Sequence, residues 1–164
     1  MERKQQTSKT YFKLLSLINS AVISGYVLGV IVTTIFFVDY KGPYVVSKFD
    51  MSLMLFIPIT TLFVLYRSHY FFYLKVPLLN KVDDMKIKMS KYRELVIGRI
   101  VYLSLPAVLS ILAVAKTNAF TYFFYTGFII YTMIVKKPTL KSAITDMKLN
   151  KQEIAILEDP ESLI

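Results

Sequence analysis

Four apolar stretches alternate with polar ones along this chain, and one of the polar stretches is much longer than the others. From Leu14 to Val38 there is no charged residue, a run of 25. As a helix that run covers about 37 Å, more than the roughly 30 Å of a bilayer's hydrocarbon core. Met51 to Tyr66 is also uncharged, and its apolar pattern resumes after Arg67, which predicts a second helix from about Met51 to about Leu74. Leu95 to Ala115 and Ala119 to Val135 complete the series. Lys116, Thr117 and Asn118 leave only a tight turn between the last two, and Gly42-Pro43 marks a turn in the loop DYKGPYVVSKFD between the first two. The pattern predicts an all-α membrane protein, a bundle of four transmembrane helices arranged as two antiparallel hairpins. Pro58 and Pro106 fall inside the second and third spans and predict bends, because the ring removes a backbone hydrogen bond and crowds the preceding turn.

The long polar stretch, KVPLLNKVDDMKIKMSKYRELVIGR from Lys75 to Arg99, joins the two hairpins. Within it Leu78, Val82, Met85, Met89 and Tyr92 recur at spacings of three and four, with lysines between them. That predicts an amphipathic cytoplasmic connector. It either lies in the membrane surface with its lysines on anionic phospholipid headgroups or packs on the bundle itself. Beyond the membrane domain, residues 1–138, a polar tail of residues 139–164 carries helix signals. Thr139 after Pro138 can cap a helix presenting Leu140, Ile144 and Met147 on one face, and Asn150 with Glu153 has the spacing of a capping box that opens NKQEIAILE. Asp159-Pro160 would end that helix.

Composition agrees with the pattern. Charged residues make up 19% and apolar residues 55%, with a mean hydropathy of +0.51, whereas soluble domains carry about a quarter charged residues. The net charge of +9 fits a membrane protein as well as a nucleic-acid binder, and the cations flank apolar spans, so no nucleic acid is expected. Of the 20 Lys and Arg, 17 lie on the side of the N-terminus, connector and tail, and only Lys41, Lys48 and Lys116 lie on the other. Cationic bias sets topology, so both termini are expected in the cytoplasm, with a first helix that is not cleaved as a leader.

Little chemistry is encoded. Without cysteine and with His69 as the single histidine, thiolate catalysis, disulfides and multi-histidine metal or haem sites are excluded within one chain. There is no Gly-rich phosphate loop and no serine with a histidine and carboxylate in attendance, so neither enzymatic activity nor a cofactor is expected. No Asp or Glu falls in the apolar centre of a span, which argues against proton-coupled antiport. Two groups of residues remain. Arg67, His69 and Arg99 sit at the cytoplasmic ends of their spans, where they either snorkel to headgroups or, with Glu94 nearby, form a cationic site for a lipid phosphate or other anion. Ala21, Gly25, Gly29 and Thr33 repeat every four residues and form a small-residue stripe suited to close helix packing, within the chain or with a second copy. Asn19, Ser20 and Ser24 lie in the same half of that helix.

The second half carries a resemblance. Tyr92, Arg93 and Arg99 in KYRELVIGR, Thr117-Asn118, Pro138-Thr139, Asp146, Leu149, Glu153 and Asp159-Pro160 make it similar to a family of small uncharacterised four-span membrane proteins of Bacteroidetes. The resemblance implies a bacterial inner membrane and supplies no activity. Four-span small subunits of tripartite transporters also look similar in size and topology, but they are typically tryptophan-rich and this chain has no Trp. The expectation is a non-enzymatic inner-membrane subunit or scaffold. Its partners would be the lipid bilayer, anionic headgroups, and a second copy or another membrane protein. The alternatives are an oligomeric transporter or channel component and an anionic-lipid-binding protein.

Overall fold

A computed structural model of the chain describes residues 7–37, 48–159 and 161–162. Among these residues the fold is built from helices: α1 (Ser8–Phe36), α2 (Lys48–Lys75), a short 3₁₀ helix (Pro77–Lys81), α3 (Met85–Thr117), α4 (Thr121–Val135), α5 (Leu140–Met147) and α6 (Lys151–Glu158). Three of them, α1, α2 and α3, are long and apolar enough to cross a membrane, and α4 is a shorter apolar helix. At 1.5 Å per residue they measure about 43, 42, 50 and 22 Å. Only 17, 22 and 33% of the most apolar windows of the three long helices is buried within the protein. Leu28, Ile35, Leu55, Leu62, Val101 and Leu112 are all exposed, an apolar surface that water does not tolerate at this extent. These are the marks of a membrane protein. Pro58 and Pro106 sit inside α2 and α3 as expected. The Gly42-Pro43 turn lies outside the described residues.

The connector differs from the expected single amphipathic helix. Pro77 opens the 3₁₀ turn, and the chain then extends through Val82. A new helix starts where the Asp84 carboxylate accepts the N–H groups of Lys86 (2.8 Å) and Ile87 (3.4 Å). That carboxylate satisfies two of the four donors a helix start leaves orphaned, so the polar part of the connector continues without a break into the third apolar span. The other end of α3 is set by Asn118, whose positive φ of 57° suits asparagine better than most side chains. Thr117 assists by donating its hydroxyl to the Ala113 carbonyl (2.7 Å) and accepting the Ala119 N–H (3.3 Å).

The chain groups into two compact units. The first comprises the described parts of Met1–Ser20, His69–Ile100 and Lys137–Ile164. Its interior holds Leu15, Val76, Leu79, Met89, Tyr92, Met147 and Leu157, all buried, and α5 packs on both the 3₁₀ turn and α6. The second comprises the described parts of Ala21–Ser68 and Val101–Lys136. There Ile57 of α2, Ala113 and Val114 of α3, and Tyr122 of α4 form one buried cluster. The Thr126 hydroxyl donates to the Ala107 carbonyl at 3.4 Å.

Candidate functional site

The polar chemistry concentrates in the first unit. Both tail helices begin with reciprocal caps, where the spacing predicts a box at Asn150 and only a simple cap at Thr139. Thr139 accepts the Ser142 N–H while Ser142 accepts the Thr139 N–H, and Asn150 and Glu153 do the same. Glu153 also reaches beyond its own helix, where its other carboxylate oxygen takes a hydrogen bond and ion pair from the Lys88 ammonium of α3. Lys88 is only 1% exposed, so its charge lies away from water, and a carboxylate is the partner such burial demands. Burial by itself would raise the Glu153 pKa. The bonds from Lys88 and the Asn150 N–H outweigh it and hold the carboxyl below its ordinary value of 4.5. At the start of α1, the Ser8 hydroxyl donates to the Leu157 carbonyl (2.6 Å) and the Ser8 N–H to the Ser162 carbonyl (3.1 Å). Tyr11 donates to the Met89 carbonyl of α3 (2.7 Å). The tail is thereby fastened to both α1 and α3.

Of the three cationic candidates, Arg99 packs on an aromatic ring of α2. Its guanidinium lies 4.8 Å from the centre of the Phe72 ring of α2, a cation–π distance, and the Asp146 carboxylate of α5 is close enough to act on it electrostatically. Phe72 in turn meets Tyr92 edge-on at 6.4 Å. His69, also in this unit, is exposed and stands 4.5 Å from the Tyr73 ring one turn along α2. Arg67 belongs to the second unit and is exposed on α2. Sequence patterning singles out Arg99 but gives no sign of Phe72 or Asp146, because a contact between helices distant in the chain leaves no local spacing. In the sequence Lys88 looks like one more solvated lysine, although its position between Met85 and Met89 on the apolar face is a signal.

The small-residue stripe of α1 divides. Thr33 is buried and Ala21 exposed. A methyl group placed on Gly29 would stand 3.2 Å from Ile111 Cδ1 of α3, whereas one on Gly25 meets nothing within 4 Å. The close packing that this motif permits is therefore used inside the chain at Gly29 and is open at Gly25.

One groove is notable in the first unit, about 590 Å³ in volume and lined by Ser90, Arg93, Glu94, Ile97 and Gly98, all on one side of α3. Among the described residues no group of three or more His, Asp or Glu is arranged to hold a metal. Comparison with known protein families, curated proteins and solved structures finds no match to this chain.

Proposed function

We propose that this chain is a four-span integral membrane protein of a bacterial inner membrane and acts as a non-enzymatic subunit or scaffold. In this reading its termini and connector form one cytoplasmic docking cap. One observation carries the reading: Ser8 at the start of α1, Lys88 at the start of α3 and the tail residues Glu153 and Leu157 are bonded together. Segments bonded to one another share a side of the bilayer, so the chain crosses an even number of times between them. Two crossings, α1 and α2, separate Ser8 from Lys88. A return is then required between Lys88 and the tail, and α4 supplies it despite its length of about 22 Å, its lysine-flanked ends snorkelling outward to meet the headgroups. The pairing of Tyr122 with Ala113 and Val114, and of Thr126 with Ala107, runs opposite ways along α3 and α4 and supports an antiparallel hairpin. The 17 to 3 cationic split supports a cytoplasmic cap.

The absence of native cysteine makes the test direct. Single cysteines at the exposed positions Lys9, Lys86 and Lys148 are expected to react with an impermeant maleimide only after the inner membrane is opened, and one at Lys116 in intact spheroplasts. Labelling of any of the first three from outside overturns the topology. Affinity purification in mild detergent tests the role. A companion membrane protein recovered in fixed ratio supports a subunit, whereas a homo-oligomer that conducts or transports when reconstituted alone points to the channel reading.

A further inference from the structure

Beside its buried side, α3 presents a face of mixed charge. Met89, Tyr92, Val96 and Ile100 point inward and are buried, while Ser90, Glu94, Ile97 and Gly98 fall at spacings of four, three and one on that face, with Arg93 beside them. This is where the groove lies, and its volume is within the range of small-ligand sites, about 300–1,000 Å³. Gly98 faces open space: a Cβ there would meet nothing within 4 Å. The groove ends two residues before Ile100, where the uncharged run to Ala115 begins, which places it at headgroup depth if α3 enters a bilayer.

The lining pairs one cation with one anion. Arg93 and Glu94 are adjacent, and among the described residues the ion pair is Lys88 with Glu153, not either of these two. A guanidinium binds a phosphodiester through parallel N–H donors. A carboxylate beside it attracts a primary ammonium, which can donate hydrogen bonds to it, and repels a second negative group. A quaternary ammonium has no N–H to give and is usually held by aromatic rings, none of which line this groove. We infer that the groove of Ser90, Arg93, Glu94, Ile97 and Gly98 binds the zwitterionic headgroup of an ethanolamine phospholipid. Arg93 takes the phosphate, Glu94 the ammonium, and Ile97 and Gly98 the glycerol end. The inference rests on the membrane reading above and narrows the lipid expected from the net charge, since a purely anionic headgroup would meet Glu94.

The test uses the full chain released from nanodiscs containing equal parts of ethanolamine, glycerol and choline phospholipids, with bound lipid read by native mass spectrometry. Ethanolamine lipid is expected to be retained about tenfold over the other two, the ratio that one charge-assisted bond of about 1.4 kcal/mol produces. Glu94→Gln is expected to erase the preference for ethanolamine over glycerol lipid, Arg93→Gln to lower retention of both, and Gly98→Leu to fill the groove and lower ethanolamine-lipid retention. Equal retention of all three lipids by the unaltered chain overturns the proposal, as does an unchanged preference in Glu94→Gln with native helical content by circular dichroism. Glu94 is exposed, so that variant decides the matter even if Gly98→Leu misfolds. Soluble glycerophosphoethanolamine in millimolar excess is expected to leave the lipid in place; displacement at micromolar levels would assign the groove to a soluble ester and overturn the lipid. A chain that partitions into detergent yet selects no lipid removes only this inference, whereas recovery from the aqueous fraction without detergent removes the membrane reading.

Discussion

Glu153 closes a helix cap with one carboxylate oxygen and neutralises a buried ammonium with the other. The two roles can be separated. Gln at this position keeps the capping geometry but leaves Lys88 charged and enclosed, and breaking a buried pair on one side costs roughly 3–5 kcal/mol. With 15% exposure at Glu153 the lower end applies. Glu153→Gln is therefore expected to destabilise the tail by about 3 kcal/mol, read as faster proteolysis beyond residue 138. Lys88→Met combined with Glu153→Gln is expected to recover most of that loss, since no unpaired charge remains. Additive losses would show that the pair is not coupled. The pH dependence follows from the same bond. The folded carboxyl titrates below 4.5, so the stability it contributes is fully present above that pH and is lost as pH falls through the depressed value. Protease protection of the tail in the unaltered chain is expected to decline below about pH 4.5, and Glu153→Gln to lack that component of the decline.

At the scale of elements, the tail helices are too short to stand alone. Eight residues each fall well below the dozen or so that an isolated helix needs, so caps and packing hold them. Asn150→Ala is expected to cost about 1 kcal/mol and to raise amide exchange across Lys151–Glu158 before it affects α3. The two glycines of α1 make the matching test in the second unit. Gly29→Leu must displace Ile111 and is expected to cost about 1–3 kcal/mol through overpacking, lowering the unfolding midpoint in detergent; Gly25→Leu is expected to leave it unchanged. Equal effects would contradict the open space at Gly25. These elements also show where sequence is informative. The cap at Thr139 and the capping box at Asn150 are readable because the residues involved are close neighbours in the chain. The connector's periodicity is readable too, but it does not reveal that Asp84 restarts the helix or that Lys88, Met89 and Tyr92 are covered by protein. The burial depends on what α1 and the tail bring to that face, whereas the Asp84 cap is as local as the capping boxes, and periodicity records only that a face is apolar.

At the scale of the whole molecule, the long apolar helices are legible in the sequence and the bonded cap is not. Hydropathy predicts four spans, whereas the structure has three helices long enough to cross and leaves α4 ambiguous, since its 15 residues are fewer than the 20 or so that a span normally takes. Long-range bonds bear on that ambiguity more strongly than its composition does. If α1, α2 and α3 all cross and α4 does not, the tail lies across the bilayer from Ser8, and no bond between them can form. The N–H of Ser8 lies 3.1 Å from the Ser162 carbonyl, a direct backbone contact between the two residues. With no native cysteine to compete, Ser8→Cys with Ser162→Cys is expected to form an intramolecular disulfide in native membranes under mild oxidation. A protease site placed in the α3–α4 turn makes the bond visible as two fragments that part only on reduction. Replacing residues 121–135 with a polar linker would strand the tail on the far side and is expected to abolish the cross-link while α1 to α3 remain inserted. A cross-link that survives the replacement would mean that the termini meet without α4, and the membrane domain would then hold two spans in place of four.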